Sequence, residues 1–234
     1  MMSRVSLVVY ARSRRRDRLT PMNTLVTSAS VAGPRDGLLR DDIPQFAFVG
    51  RSNVGKSTLL NALMRQKLAR TSAAAGKTRQ ANIFQITVAG GLGHPGTWSA
   101  YLVDLPGYGY ARGGRESITE MAAVVEAYFA AGRRPAPERA ASAKLRRGGI
   151  FLLVDSRHPE LASDIEAYQW IAKNAAMPHV IATKVDKLSR ADRTRNLRAI
   201  AGAFGQTPLA VSSDTGEGLD DLRRLMASMA KGGP

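Results

Sequence analysis

The sequence predicts an α/β fold, a six-stranded, mixed but mostly parallel sheet with helices on both faces. Three observations carry that expectation. Strand-like and helix-like segments alternate from Phe46 almost to the end of the chain. GIFLLVD (149–155) is apolar throughout, the pattern of a strand covered on both faces. One pair of strands, NIFQITV (82–88) and WSAYLVD (98–104), is joined by the turn residues GGLGHPG (90–96), which makes these two antiparallel neighbours. The chain shows no internal repeats.

In chain order, residues 1–40 read as a basic, loosely ordered tail, and the folded domain is placed at 41–231. The tail opens with Arg12, Arg14, Arg15, Arg16 and Arg18 set against one acid, Asp17. Its apolar run VSLVVY is too short for a signal-peptide core. An organellar transit peptide and a true start at Met22 are both open, and the second is preferred. Residues 23–40 are small and polar, hence expected to be loosely ordered. FAFVG (46–50) is a short buried strand that runs into a Gly-rich turn and the helix KSTLLNALMRQ. After the antiparallel pair, SITEMAAVVEAYFA (117–130) opens with a capping box from Ser117 to Glu120 and continues as a helix. GRRPAPERAASAKLRRG (132–148) interrupts the alternation as a long basic surface loop or helix extension. Strand 149–155 is followed by a helix at about 160–175 and the strand HVIATK (179–184). Ser189 and Asp192 mark the next helix start. PLAVSS (208–213) is the last strand, and Leu219, Leu222, Met226 and Met229 give the final helix an apolar stripe.

Composition bounds the function classes. With 234 residues and 44% hydrophobic content, the chain can build one sizeable core. It has no apolar run long enough to span a bilayer. Without cysteine it can form neither disulfides nor thiolate metal sites. The net charge of +15 favours a polyanionic partner, nucleic acid first and an anionic membrane surface second.

The chemistry is concentrated in three motifs. GRSNVGKS (50–57) satisfies GxxxxGK[ST] between a strand and a helix, the context that motif requires. Backbone N–H groups of Gly50, Arg51, Ser52, Asn53, Val54 and Gly55 can then approach phosphate oxygens, and the helix N-terminus at Lys56, Ser57 and Thr58 faces them. Lys56 is expected to reach the β- and γ-phosphates, and the Ser57 hydroxyl to ligate Mg²⁺. TKVD (183–186) names the base. The Asp186 carboxylate can accept from both N1–H and the exocyclic amine of guanine, a donor pair adenine lacks. The Lys184 stem would cover the base face, with Val185 between them. Thr183 stands where Asn is more usual, so a hydroxyl makes the hydrogen bond that ties the loop. After the last strand, Val211, Ser212 and Ser213 lie where a backbone N–H could meet guanine O6. In DLPG (104–107), Asp104 is expected to hold Mg²⁺ through water. Leu105 and Pro106 lead to Gly107, whose N–H would touch the γ-phosphate. Thr78, after Gly76 and Lys77 in AAGKTRQ, is the candidate second Mg²⁺ ligand, and Thr71 competes with it. Lys56, Thr78 and Gly107 form the expected catalytic set.

On these residues the chain resembles the EngB family of GTP-binding proteins. The carrying segments are FVGRSNVGKSTLLNAL, GKTRQ, YLVDLPGYGYA, FLLVDSRHP and TKVDKLS, spanning roughly 44–190, with SS-x-x-G at 212–216 agreeing less specifically. DLPGYGYA and D-x-R-H-P are not general GTPase motifs. The basic tail and the long loop at 132–148 depart from the family pattern. The resemblance implies a Ras-like P-loop GTPase fold that binds GTP or GDP with Mg²⁺. It implies a monomeric, cytoplasmic bacterial protein whose partner is the large ribosomal subunit or its precursor, rRNA and ribosomal proteins included. It also implies an indirect need in cell division and septation, and no stable membrane association. A GTP-reading scaffold at a membrane or septum is the alternative.

Tyr108 follows Gly107 where many GTPases carry a water-orienting glutamine, so slow intrinsic hydrolysis is expected. A ribosomal partner could supply the missing group. Alternatively, K⁺ could serve as a fixed charge, since Asn53 lies where related GTPases place a K⁺-binding asparagine; or Asn53 simply fits its loop. Tyr108 and Tyr110 could stack on RNA bases or pack a switch loop, and packing is preferred. His158 is expected to brace the turn after its strand.

Overall fold

A computed structural model describes residues 23–32, 43–69, 81–89, 97–108 and 148–230. In chain order the elements are β1 (Asn23–Ala32), β2 (Gln45–Gly50), α1 (Lys56–Met64), β3 (Ala81–Ala89), β4 (Thr97–Asp104), β5 (Gly148–Asp155), α2 (Ala162–Asn174), β6 (His179–Thr183), a 3₁₀ turn (Val185–Lys187), α3 (Arg190–Phe204), β7 (Leu209–Ala210) and α4 (Leu219–Ala230). Among the described residues, seven strands form one sheet in the order β1-β3-β4-β2-β5-β6-β7. Strands β4 to β7 pair in parallel through β2, β5 and β6, while β1–β3 and β3–β4 are antiparallel.

All six expected strands are present, and a seventh has joined them. β1 arises from residues expected to be loosely ordered. It pairs with β3 from Asn23 opposite Ala89 to Ala32 opposite Ala81, with a bulge between Val26 and Ser28. The physical reason is the open edge of β3, whose unpaired N–H and C=O groups accept any compatible strand. The sequence NTLVTSASVA carries enough β-branched residues to supply one. The folded unit therefore begins well before residue 41.

Strand alternation divides the core into two layers. Phe46, Phe48, Phe151 and Leu153 face α1 and α4, where Leu59, Leu60, Leu63, Met64, Leu222 and Met226 meet them. Ala47, Val49, Ile150, Leu152 and Val154 face the other way, onto Ala167 and Ile171 of α2 and Ile200 and Phe204 of α3. The fully apolar run of β5 is thus explained, because both its faces are covered. Each such Leu, Ile or Phe contributes about 1.5–3 kcal/mol relative to exposure.

Helix ends follow local chemistry. Ser189 caps α3 by accepting from the Asp192 N–H at 3.2 Å, and Gly205 ends it in the left-handed region at φ 65°. The stripe on α4 is as expected: Leu219, Leu222 and Met226 are buried and Met229 packs beside them. From the same helix, buried Arg223 donates to the carbonyls of Ala62 and Leu63, capping the last turn of α1. The helix expected at 117–130, the loop of 132–148 up to Arg147, and the segment 1–22 lie outside the described residues.

Candidate functional site

The expected site residues among those described converge at the carboxyl ends of β2, β4, β5, β6 and β7, where ligands bind in open α/β sheets. β2 ends at Gly50, and the loop 51–55 delivers the chain into α1 at Lys56. Gly55 sits at φ 104°, a conformation that L side chains rarely adopt, so the turn into the helix requires glycine there. Asn53 is exposed and left-handed at φ 64°. Asparagine tolerates that region better than most residues, which accounts for its presence without a cation. Ser57 is half-buried and Thr58 exposed on the first turn of α1. Lys56 Nζ lies on the buried carboxylate of Asp104 at the end of β4. This arrangement brings a helix N-terminus, one ammonium and the remaining loop amides together, a combination suited to an anion. Of the amides expected to face phosphate, Ser52 N–H instead donates to Tyr108 O at 2.9 Å and Val54 N–H to Arg51 O at 3.1 Å, because the loop closes on itself.

The base-selecting loop is tied to this cradle twice. Thr183 Oγ1 donates to the Val54 carbonyl at 2.7 Å and lies 3.2 Å from that of Val154. This is the hydroxyl tie expected from the sequence, and it is buried. Lys184, left-handed at φ 59°, extends its Nζ to the Asn53 carbonyl at 2.6 Å and to Asp155 Oδ2 at 2.9 Å. Asp186 is the middle residue of the 3₁₀ turn, after Val185, and is held below the usual carboxylate range, first by a hydrogen bond from Ser212 and then by Lys187, 2.9 Å away.

One expectation at the O6 position is narrowed. Val211 N–H donates to Ala182 O at 2.8 Å, and Ser212 N–H to Glu217 O at 3.0 Å. Both amides serve the fold, because the chain turns back on itself at Gly216 and Gly218 to start α4. Ser213 keeps the candidate amide, and Ser212 contributes its hydroxyl to Asp186 instead.

Two residues that sequence reasoning left without a role belong to the site. Asp155, at the end of β5, is 2% exposed and receives Arg157 Nε at 2.9 Å, Arg157 Nη2 at 2.7 Å and the Lys184 ammonium. Burial alone pushes its carboxyl up, but these hydrogen bonds outweigh it and hold the group far below the normal range. Asp155 therefore fixes the position of Lys184. Asp164, in the first turn of α2, is fully buried. The signal for the first was D-x-R-H-P itself. The second carried none, since an acid at a helix start is ordinary. His158 braces its turn through the backbone, its N–H donating to Asp155 O at 2.9 Å, while its side chain is exposed.

Tyr108 is wholly buried, packed with Leu105 and Val103, and its hydroxyl donates to Asp164 Oδ1 at 2.9 Å. Burial and the adjacent carboxylate push its phenol well above the ordinary value. In this position it neither stacks on a base nor orients water. Packing, the preferred reading, is what the structure shows. Gly107 is exposed beside the loop 50–52, with Leu105 buried and Pro106 half-buried before it. Gly76, Lys77, Thr78, its competitor Thr71, and Tyr110 lie outside the described residues. Asn61 fixes the end of the described stretch after α1, accepting from the N–H groups of Leu68 and Ala69 and donating to Ala69 O.

Residues 45–184 match the family model described as a 50S ribosome-binding GTPase. A probable GTP-binding protein EngB of Lachnoclostridium phytofermentans is 37% identical over 203 residues, covering 84% of this chain and 90% of that protein. A second, from Nitratidesulfovibrio vulgaris, is 35% identical over 216 residues, covering 91% and 89%. Among solved structures, a probable GTP-binding protein engB superposes with a TM-score of 0.55 at 20% identity over 80% of this chain and 98% of that one. Era in complex with MgGDPNP and a 16S ribosomal RNA fragment also gives 0.55, at 22% identity over 80% and 57%. At such identities the two structures speak for the fold alone.

Proposed function

Since the chain belongs to the EngB family and is a GTPase, we propose that it is a slow switch whose GTP state binds the large ribosomal subunit or its precursor. Assembly of that subunit is the process it serves, in the bacterial cytoplasm, and normal division and septation depend on it indirectly. The observation that carries the reading is the joining of an anion cradle to a guanine-selecting loop by the hydrogen bonds Thr183–Val54 and Lys184–Asn53.

The side chains divide the work. Lys56 and the amides of Asn53, Gly55, Lys56 and Ser57 bind the β- and γ-phosphates, and Gly107 N–H senses the γ-phosphate. Asp186 accepts from N1–H and the exocyclic amine of guanine, Lys184 lies along the base, and Ser213 N–H meets O6. An adenine would leave the Asp186 carboxylate facing no donor pair. Ser57 would ligate Mg²⁺ directly and Asp104, now paired with Lys56, through water, both being the hard oxygen donors that ion prefers, with Thr78 as the further ligand. When bound, Mg²⁺ neutralises charge on the β- and γ-oxygens. No group orients the attacking water from position 108, because the Tyr108 hydroxyl is already committed to Asp164. The ribosomal partner supplies that function, and the basic chain is suited to rRNA. Exposed Arg190, Arg195 and Arg198 on α3 add to that surface.

Sedimentation with large-subunit particles tests the proposal. Co-migration is expected with a non-hydrolysable GTP analogue and not with GDP, weakening as salt rises. Absence of co-migration in both states at low salt, with nucleotide binding verified, would overturn it.

A further inference from the structure

Two buried side chains, Tyr108 and Asp164, meet the half-buried Arg51 from separate parts of the chain. Tyr108 comes from the segment after β4, Asp164 from the first turn of α2, and Arg51 from the loop after β2. The Tyr108 hydroxyl donates to Asp164 Oδ1 at 2.9 Å, and Arg51 Nε stands 3.9 Å from the same oxygen. That separation is too long for a hydrogen bond. Both Arg51 Nε and Asp164 Oδ2 are buried without any hydrogen-bond partner. A donor and an acceptor are thus left over side by side, in a protein interior that rarely tolerates either.

The tyrosine backbone is tied down as well. Its carbonyl accepts from the Ser52 N–H at 2.9 Å, extending the β2–β4 pairing across Arg51 and Tyr108. Between these ties sits Gly107. A Cβ built there would lie 3.2 Å from Gly50 O, from Ser52 N and from Ser52 Oγ, so the glycine is pressed against the cradle wall.

We propose that Tyr108, Asp164 and Arg51 form a positioning latch for Gly107. Asp164 holds the tyrosine, and with it the glycine, against the cradle. Arg51 is poised to take over the carboxylate when the tyrosine withdraws. The exchange follows from electrostatics. If the loop opened with no replacement donor, the buried Asp164 carboxyl would lose the one hydrogen bond it accepts from Tyr108, which is unfavourable. A guanidinium already within 4 Å removes that obstacle by a small shift. Two arrangements result, one closed and one open, of the kind a nucleotide switch uses. Helix α2 thereby senses the position of the loop.

The proposal rests on the reading of Gly107 as the γ-phosphate sensor, and its test separates the two. Affinities for GDP and for a non-hydrolysable GTP analogue are measured on the full chain and three variants. Tyr108→Phe removes the hydroxyl alone, and should weaken the analogue about tenfold relative to GDP, the effect of one hydrogen bond to a charged group. Arg51→Met removes the alternative partner and should shift the ratio the opposite way, against GDP. In an Asp164→Ala background, Tyr108→Phe should have no further effect. A purely structural role would weaken both nucleotides equally. Equal losses, shifts of the same sign in the first two variants, or an undiminished Tyr108→Phe effect without Asp164 would overturn the latch. Wild-type protein that binds GDP and the analogue with equal affinity would overturn the sensor reading, and the latch with it.

Discussion

Replacing Thr183 by Val tests how tightly the base-selecting loop depends on the phosphate cradle. The substitution preserves shape and removes one hydroxyl, which is 2.7 Å from the Val54 carbonyl and buried with it. Val154 O has the ladder between β5 and β6 to fall back on. Val54 O, in an irregular loop, does not. Leaving a buried acceptor unpaired costs about 1–3 kcal/mol. For a domain of this size that corresponds to a fall in Tm of roughly 2–12 °C. Guanine nucleotide holds both loops at once, so the part of the cost expressed in binding weakens GDP by up to about 100-fold. Thermal melts and fluorescent-GDP titrations read the two quantities. Thr183→Ser keeps a hydroxyl and should restore most of both. A Val variant with wild-type Tm and wild-type GDP affinity would refute the reasoning, as would a Ser variant no better than Val.

Two further outcomes follow from the same geometry. Asn53 is left-handed at φ 64°, so Asn53→Gly should keep nucleotide affinity while Asn53→Ala loses several-fold; a hydrolysis rate that falls in Asn53→Gly in K⁺ and not in Na⁺ would show instead that the side chain serves a cation site. The folded pKa of Asp155 is depressed, so its stabilisation is present above the unfolded carboxylate value of about 4 and is lost as pH falls below it; in urea titrations, wild type should exceed Asp155→Asn at pH 7 and the gap should close towards pH 3, whereas a gap independent of pH would show that the carboxylate's charge is not what matters.

Much of the fold was legible because its signals are local. A strand, a Gly-rich turn and a helix start stand within twenty residues at 46–64, and the φ of 104° at Gly55 is what that motif requires. β5 was readable because an apolar run of that length has few alternatives. The hydroxyl tie of Thr183 was legible too, since only a short polar side chain at that position can reach the loop across the sheet.

What the chain alone determined is the set of contiguous motifs, whose chemistry follows from residue type and spacing, and the alternation of elements that brings their ends to one edge. Tertiary structure decided how leftover hydrogen-bonding groups are shared among distant segments. β1 exists because β3 offered an open edge more than fifty residues further along. The Ser212 amide went to Glu217 because the chain must turn there into α4. Tyr108 turned inward because a carboxylate 56 residues away needed a donor. Such pairings depend on which groups burial deprives of water, and that is settled only when the layers close.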